Sequence, residues 1–317
     1  MRAKGRGSNE SSAMTRPPVL PPLAFAGLYA VLWGGSTAYL AMKGADWSFP
    51  IVSLAIFGLA FSGIAWALTR SARPPAIVVQ RPALELGAVL AFLAVYAVGF
   101  LGFGMTAVKG VFPPGPQQEL LVLAAKLIVH VALPALLLAA LGARLAPLFA
   151  ARARDRSFWL PLLILGVILT ALLAVVTPSL KQISGLHPSV VTLAWTIPAS
   201  FVWVALEAGL SEEFLFRAVL QSRLAAVLRS ETGAVILGAL IFALAHVPGL
   251  YLRGAPGVDG YSTDPLQVAA FTIATLSPIA LMFGVLWTRT RSLLLVVLLH
   301  GLVDFLPNLA EFIPTWS

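Results

Sequence analysis

Cysteine and charge are what this sequence lacks. There is no Cys among its 317 residues, and only 11% of the residues are charged. The absence of Cys excludes disulfide scaffolds, thiolate metal sites and cysteine nucleophiles. A soluble globular protein carries about 25% charged residues, whereas this protein is 59% hydrophobic and has a mean hydropathy of +0.92. It is therefore predicted to lie in a lipid bilayer.

Nine apolar stretches, each about 20 residues long, can cross a bilayer as helices. They predict an all-α fold, a polytopic transmembrane bundle of about nine spans. The predicted spans run approximately from Leu23 to Met42, Ile51 to Leu68, Leu86 to Met105, Leu120 to Leu141, Phe158 to Val176, Val190 to Leu210, Val235 to Leu250, Val268 to Trp287 and Leu293 to Leu309. Helical character continues from Val190 past Leu220, so we expect a kink near Pro198 or Gly209, or a re-entrant piece.

The positive charges alternate between the two sets of loops that these spans define. Fifteen of the 21 Lys and Arg fall in the set that includes the N-terminal tail. The other set holds only Lys43, Lys109, Lys181 and Arg253. Because basic residues collect on the cytoplasmic side, the N-terminus is predicted to be cytoplasmic and the C-terminus outside. This pattern also explains the net charge of +8, so nucleic acid is not an expected partner.

Ionisable residues within membrane spans are costly and usually mark function. Most of those in this protein lie in its C-terminal third. Glu212 precedes a predicted turn near Ser230 by 18 residues, and His246 follows Gly233 by 13. These lengths correspond to roughly 27 and 20 Å of helix, so a hairpin brings the two side chains to similar depth. The full set is Glu207, Glu212, Glu213, Arg217, His246, His300 and Asp304.

Helical spacing places the two neighbouring glutamates, Glu212 and Glu213, on different faces of the helix. Glu213 and Arg217 are four residues apart in the favourable order for an ion pair, while Glu212 faces about 100° away from Glu213. Two further i, i+4 pairs share a helix face: Phe242 with His246, and His300 with Asp304. A buried network that only holds helices together remains an alternative. In the fourth span, Lys126 and His130 are interpreted as a polar stripe facing the bundle interior.

Three motifs lie in order along the C-terminal third: EExxxR from Glu212 to Arg217, FxxxH from Phe242 to His246, and HxxxD from His300 to Asp304. Together they resemble the CPBP family of intramembrane proteases, which includes the type II CAAX prenyl endopeptidases and bacteriocin-immunity proteins. The resemblance covers about residues 195–310. We therefore divide the protein into a polar tail (1–22), N-terminal transmembrane helices (23–190), a CPBP-like domain (191–310) and a short C-terminal tail (311–317).

The resemblance implies roles for the residues of the first two motifs. It implies that Glu212 and His246 activate a water molecule that attacks a peptide carbonyl. It makes Glu213 and Arg217 supporting residues, in agreement with their helical spacing. Phe242 is expected to support the site by packing its ring beside His246.

The third motif is implied to stabilise the oxyanion, and here the sequence departs from better-known members of the family. Asp304 stands where the CAAX endopeptidases have Asn. Since an ionised Asp cannot donate a hydrogen bond to an oxyanion, we assign the oxyanion-stabilising role to His300 and not to Asp304. Asp304 could instead orient His300, carry a proton or ligate a metal.

Metal dependence is a separate question, because the sequence has no H-E-x-x-H motif typical of zinc proteases. Two His with Glu and Asp could still bind zinc or iron. The residues that would do so are His246, His300, Glu212 and Asp304. We favour a metal-free mechanism and keep zinc as the alternative.

The predicted function is thus an intramembrane endopeptidase in the plasma membrane of a prokaryote. Its expected partners are a peptide or membrane-protein substrate and the lipid bilayer. One alternative is a non-catalytic membrane partner or immunity factor, although such a protein has no reason to keep costly glutamates in a span. The other is a proton-coupled transporter, which inverted repeats would favour, and the sequence has no internal repeat.

Overall fold

The structure is a computed structural model that describes residues 19–317. Most of the predicted tail, 1–22, lies outside the described residues, and Pro22 already begins the first helix. Within residues 19–317 there is no strand, and nine helices are long and apolar enough to cross a membrane. The predicted polytopic all-α bundle is therefore confirmed. The nine spans are Pro22–Met42, Ser48–Leu68, Pro82–Lys109, Pro116–Ala140, Arg156–Val176, Val190–Leu228, Glu231–Arg253, Pro265–Thr290 and Leu293–Trp316.

Large apolar side chains near the middle of the spans point away from the protein. Val31, Val95 and Val167 are 72%, 72% and 69% exposed. Such exposure would be unfavourable in water and fits contact with lipid tails. Trp66 and Trp159 are exposed near the end of the second span and the start of the fifth, where aromatic side chains of membrane proteins collect at the interface.

The best-enclosed helices are the last three spans. In the seventh, eighth and ninth spans, 50 to 67% of the most apolar window is buried, compared with 22 to 28% in the first six. In the sixth span burial is concentrated later, over residues 211–224. The three motifs therefore lie on the part of the bundle that is most shielded from lipid.

The sixth span is longer than predicted. It does not end near Leu210 but continues as one helix, Val190–Leu228, of 39 residues. A straight α-helix of that length would measure about 58 Å, nearly twice the ~30 Å hydrocarbon core. Two π-helical segments interrupt it, Ala205–Leu210 and Glu213–Gln221, and the first includes Gly209, where a kink was expected. Such wide turns occur frequently at functional sites.

The turn between the sixth and seventh spans lies where the sequence predicts it. Arg229 adopts a left-handed conformation, with φ of 52°, and ends the sixth helix. The Ser230 hydroxyl then accepts a hydrogen bond from the Gly233 N–H at 3.0 Å, which is the expected N-cap geometry for the seventh helix. This hairpin sets the relative depth of the first two motifs.

The ninth span also exceeds its predicted end near Leu309. The helix continues through Pro314 to Trp316, so the segment 311–317, expected to be a tail, is helical up to Trp316. Packing explains the difference. The ring of Trp316 lies 5.0 Å from that of Trp203 in the sixth span and stacks on Phe312, and these contacts outweigh the helix-breaking tendency of proline.

Two ion pairs connect distant parts of the sequence. Glu85 and Arg223 are both fully buried, with Arg223 Nε 3.2 Å from Glu85 Oε2. At the opposite end of the bundle, Lys43 Nζ lies 3.0 Å from Asp264 Oδ2, and the Tyr39 hydroxyl donates to the same oxygen at 2.8 Å. The hydrogen bonds from Lys43 and Tyr39 lower the pKa of Asp264 to about 2. They tie the end of the first span to the start of the eighth.

Candidate active site

Two adjacent glutamates of the sixth span have opposite surroundings. Glu212 is the only residue among 211–224 that is not buried, whereas Glu213 is completely buried. Glu212 immediately precedes the π-helical segment Glu213–Gln221. Successive helical positions face about 100° apart, so one carboxylate can reach a cavity while the next points into the protein.

Both motif histidines approach the Glu212 carboxylate. His246 Nε2 is 4.0 Å from Oε1, and His300 Nε2 is 3.8 Å from Oε2. His246 Nδ1 lies 2.8 Å from the carbonyl oxygen of Phe242. Since a carbonyl can only accept, Nδ1 carries the proton, and Nε2 of a neutral His246 presents a lone pair toward Glu212. The FxxxH spacing thus fixes the tautomer of this histidine.

His300 is held between carboxylates on both sides of its ring. Its Nδ1 lies 2.8 Å from Glu213 Oε1, and its Nε2 lies 3.2 Å from Asp304 Oδ2. Ionised carboxylates only accept hydrogen bonds, so both ring nitrogens favour a bound proton. His300 is thus oriented through both ring nitrogens, whereas His246 is oriented through Nδ1.

Arg217 lies behind this cluster. Its Nε is 3.3 Å from Glu213 Oε2, and both side chains are at most 2% exposed. The guanidinium lies 4.8 Å from the ring centroid of Phe242 and 5.9 Å from that of Phe283. The second ring stacks on His300 at 5.1 Å. Phe283 belongs to none of the three motifs, and the sequence offers no signal that would have identified it.

A cavity of about 670 Å³ reaches Glu212 and His246 but not Glu213 or Arg217. The side chains of Glu212 and His246 are 16% and 29% exposed, whereas those of Glu213 and Arg217 are 0% and 2% exposed. The cavity extends to the ends of the third, seventh and ninth spans on the side of the bundle where the C-terminus lies. Its charged and tyrosine lining residues are Tyr96, Lys109, Glu119, Lys126, Glu207, Glu212, Arg253, Asp259 and Glu311.

The third and fourth spans supply a polar wall of this cavity. Lys126 forms an ion pair with Glu207. His130 Nδ1 donates to the Lys126 carbonyl at 2.8 Å, so its Nε2 accepts the Tyr96 O–H, also at 2.8 Å. The sequence predicts Lys126 and His130 as an interior-facing stripe, and both line the cavity. The sequence does not single out Tyr96, because an aromatic residue in an apolar span carries no distinguishing pattern.

The proposed metal ligands do not fit a metal ion in this arrangement. Over residues 19–317, no three His, Cys, Asp or Glu side chains are grouped so that they could hold one ion together. The Nδ1 atoms of His246 and His300 are already hydrogen-bonded, so only their Nε2 atoms could bind a metal. His300 Nε2 faces two carboxylates, Glu212 and Asp304.

The fold and this cluster together define a multi-pass membrane protein in which Glu212 and His246 face a cavity, with His300 beside them. Residues 194–306, a little over a third of the sequence, match the family model for type II CAAX prenyl endopeptidase Rce1-like. The match confirms the resemblance to the CPBP family and supports a CAAX-type intramembrane protease. It includes all three motifs, and the first five spans lie outside it. No curated protein and no solved structure matches the sequence.

Proposed function

We propose that this protein is an intramembrane endopeptidase in which Glu212 and His246 activate a water molecule. One observation carries the proposal: these two side chains face the cavity, while Glu213 and Arg217 beside them are sealed from it. A network with a purely structural role would have no need for a cavity that reaches Glu212 and His246. A costly carboxylate exposed to such a cavity indicates function.

The separation of the two groups suits a bridging water. At 4.0 Å, Glu212 and His246 are too far apart for a direct hydrogen bond. Two water hydrogen bonds of about 2.8 Å that meet near a right angle span about 4 Å. Both Glu212 and neutral His246 Nε2 are acceptors, so this water would donate one proton to each. Its lone pairs would then point away from them, toward a substrate carbonyl carbon.

The reaction would proceed by general base catalysis. The Glu212 carboxylate takes a proton as the water oxygen bonds to the carbonyl carbon, and the carbonyl electron pair moves to oxygen. His300 Nε2–H, which lies 3.2 Å from Asp304 Oδ2, would donate a hydrogen bond shared between that carboxylate and this oxyanion. When the tetrahedral intermediate collapses, the C–N bond breaks and the proton held by Glu212 passes to the leaving amine. The products are a carboxylic acid and an amine.

We place the catalytic groups in the CPBP-like domain, 191–310, and the cavity wall opposite them in the N-terminal helices, 23–190. The excess of Lys and Arg in the N-terminal set of loops supports a cytoplasmic N-terminus. With that orientation the cavity opens on the outer side of a prokaryotic plasma membrane. A peptide would then approach from the side to which Arg253 and Trp316 belong.

The test is cleavage of a peptide library by purified protein in mild detergent. We expect Glu212→Gln and His246→Ala each to lower cleavage at least 100-fold, because general base catalysis contributes 10²- to 10⁴-fold. The matched control is Glu119→Gln, another cavity carboxylate, which should cleave like the wild type. Wild-type rates in either of the first two variants would refute the mechanism. Activity that a chelator removes and zinc restores would overturn the metal-free choice.

A further inference from the structure

Arg253 is a cation of the cavity that the three motifs do not include. It lies at the end of the seventh span, seven residues after His246, and lines the same cavity. Seven residues are close to two helical turns, so the two residues lie on the same face of the helix. His246 and Arg253 therefore line the same cavity at two heights along the seventh span.

The Arg253 side chain is folded back along its helix. Its Nε donates to the carbonyl oxygen of Leu101 at 2.5 Å, within the π-helical segment Tyr96–Gly104 of the third span. A Cβ atom added to Gly249 would lie 3.0 Å from Arg253 Nη2. The guanidinium thus lies over Gly249, one turn from His246. The glycine leaves the room for this conformation.

Its charge is not paired within the protein, as those of Lys126 and Arg217 are. Lys126 in the cavity wall is paired with Glu207, and Arg217 behind the site with Glu213. Among the ion pairs formed within residues 19–317, none includes Arg253. One of its five N–H groups is used by the Leu101 carbonyl. The planar donors that remain match a carboxylate, which can accept two parallel hydrogen bonds from a guanidinium.

We infer that Arg253 binds a carboxylate of the peptide substrate and so selects peptides with an acidic group near the scissile bond. The inference rests on the proposed function and specifies its substrate class. Gly249 and Arg253 lie about 4.5 and 10.5 Å of helix rise beyond His246. An extended peptide covers about 3.3 to 3.6 Å per residue. The acidic group therefore lies roughly one to three residues from the cleaved bond. It is either the C-terminal carboxylate of the peptide or the carboxylate of an Asp or Glu residue within it.

The experiment uses four versions of one cleavable peptide. They carry a free C-terminal acid, a C-terminal amide, the amide with an internal Glu, or the amide with Gln at that position. The wild-type protein should cleave the free-acid peptide better than the amide, or the Glu peptide better than the Gln peptide. The difference in kcat/KM should be at least tenfold and should come mainly from a lower KM. Arg253→Gln should abolish the preference. Lys109→Gln, which removes another cation of the cavity wall, should retain it.

Binding is measured in parallel, by tryptophan fluorescence of the inactive Glu212→Gln variant with the same peptides. The signal would come from Trp203 and Trp316, which line the cavity. If proteins with Arg253 intact cleave and bind acidic and neutral peptides equally, the inference is overturned. This outcome does not depend on whether Arg253→Gln folds. A preference that persists in folded Arg253→Gln would overturn it as well. Arg253-dependent binding without any wild-type cleavage would refute the proposed function and keep the carboxylate site.

Discussion

The change Arg217→Met tests whether the buried pair behind the site is held by charge. Arg217 and Glu213 are both almost completely shielded, and their ion-pair atoms are 3.3 Å apart. Removing the cation leaves a buried carboxylate that keeps only its contact with His300. Breaking a buried pair in this way costs about 3 to 5 kcal/mol. Because about 1.4 kcal/mol is a factor of ten, the ratio of folded to unfolded protein should fall by about two to four orders of magnitude.

A double variant separates lost charge from lost packing. Glu213→Gln combined with Arg217→Met removes both charges, so no uncompensated ion remains, and replacing a buried pair is often close to neutral. We expect it to recover most of the lost stability. Its cleavage rate should stay low, because Glu213 holds His300 through Nδ1 at 2.8 Å, and Gln in its place can turn either its oxygen or its NH2 group toward that nitrogen. Stability and activity should therefore separate in this one protein.

Stability is measured by titrating SDS into protein in mild detergent and following helix content, with peptide cleavage measured on the same preparations. The matched control is Arg229→Met, the same substitution at an exposed position of the same helical region, which should unfold at the wild-type midpoint. Two results would refute the reasoning: a single variant Arg217→Met as stable as wild type, or a double variant no more stable than that single variant.

Two further changes test a carboxylate of the candidate site and an ion pair at the end of the bundle. Asp304→Asn should retain cleavage to within tenfold, because Asn keeps the size and an oxygen acceptor toward His300 Nε2 and adds a donor. A loss of roughly tenfold or more, as outer-shell substitutions commonly cause, would show that the charge is required. For Asp264, the pKa is lowered from 3.8 to about 2, mainly by Lys43, so this contact stabilises the protein above about pH 4 and is lost as the pH falls toward 2. The difference in thermal midpoint between wild type and Asp264→Asn should shrink over that window, and a constant difference from pH 6 to pH 2 would contradict this assignment.

The number of spans and the meeting of the first two motifs could be predicted because both follow from local properties. A stretch of about 20 apolar residues is read directly from the sequence. The turn at Ser230 has its own capping signal, and counting residues from it gives the depth of Glu212 and His246. The structure brings these side chains to 4.0 Å. Helical spacing likewise indicated that Glu213 and Arg217 could pair.

The remaining features depend on contacts between residues distant in the sequence. Glu85 and Arg223 are 138 positions apart, and neither has a pattern that points to the other. The π-helical segments of the sixth span are also absent from the sequence pattern, because wide turns depend on packing and not on a residue type. The first of these segments contains Glu207 and changes the direction in which this residue faces. In an α-helix a residue five positions from Glu212 would face about 140° away, yet both line the cavity.

The first five spans are not accounted for by the family match, but they contribute directly to the space in which a substrate would lie. Tyr96 and His130 are buried and fully hydrogen-bonded to each other and to the Lys126 carbonyl. A satisfied polar network in a low-dielectric interior is rigid, because any rearrangement would strand a donor or an acceptor. It forms the wall facing the helices that carry Glu212 and His246. The proposed catalytic groups thus belong to the matched third of the sequence, while a peptide that reached them would also have to fit a fixed polar surface built by the rest.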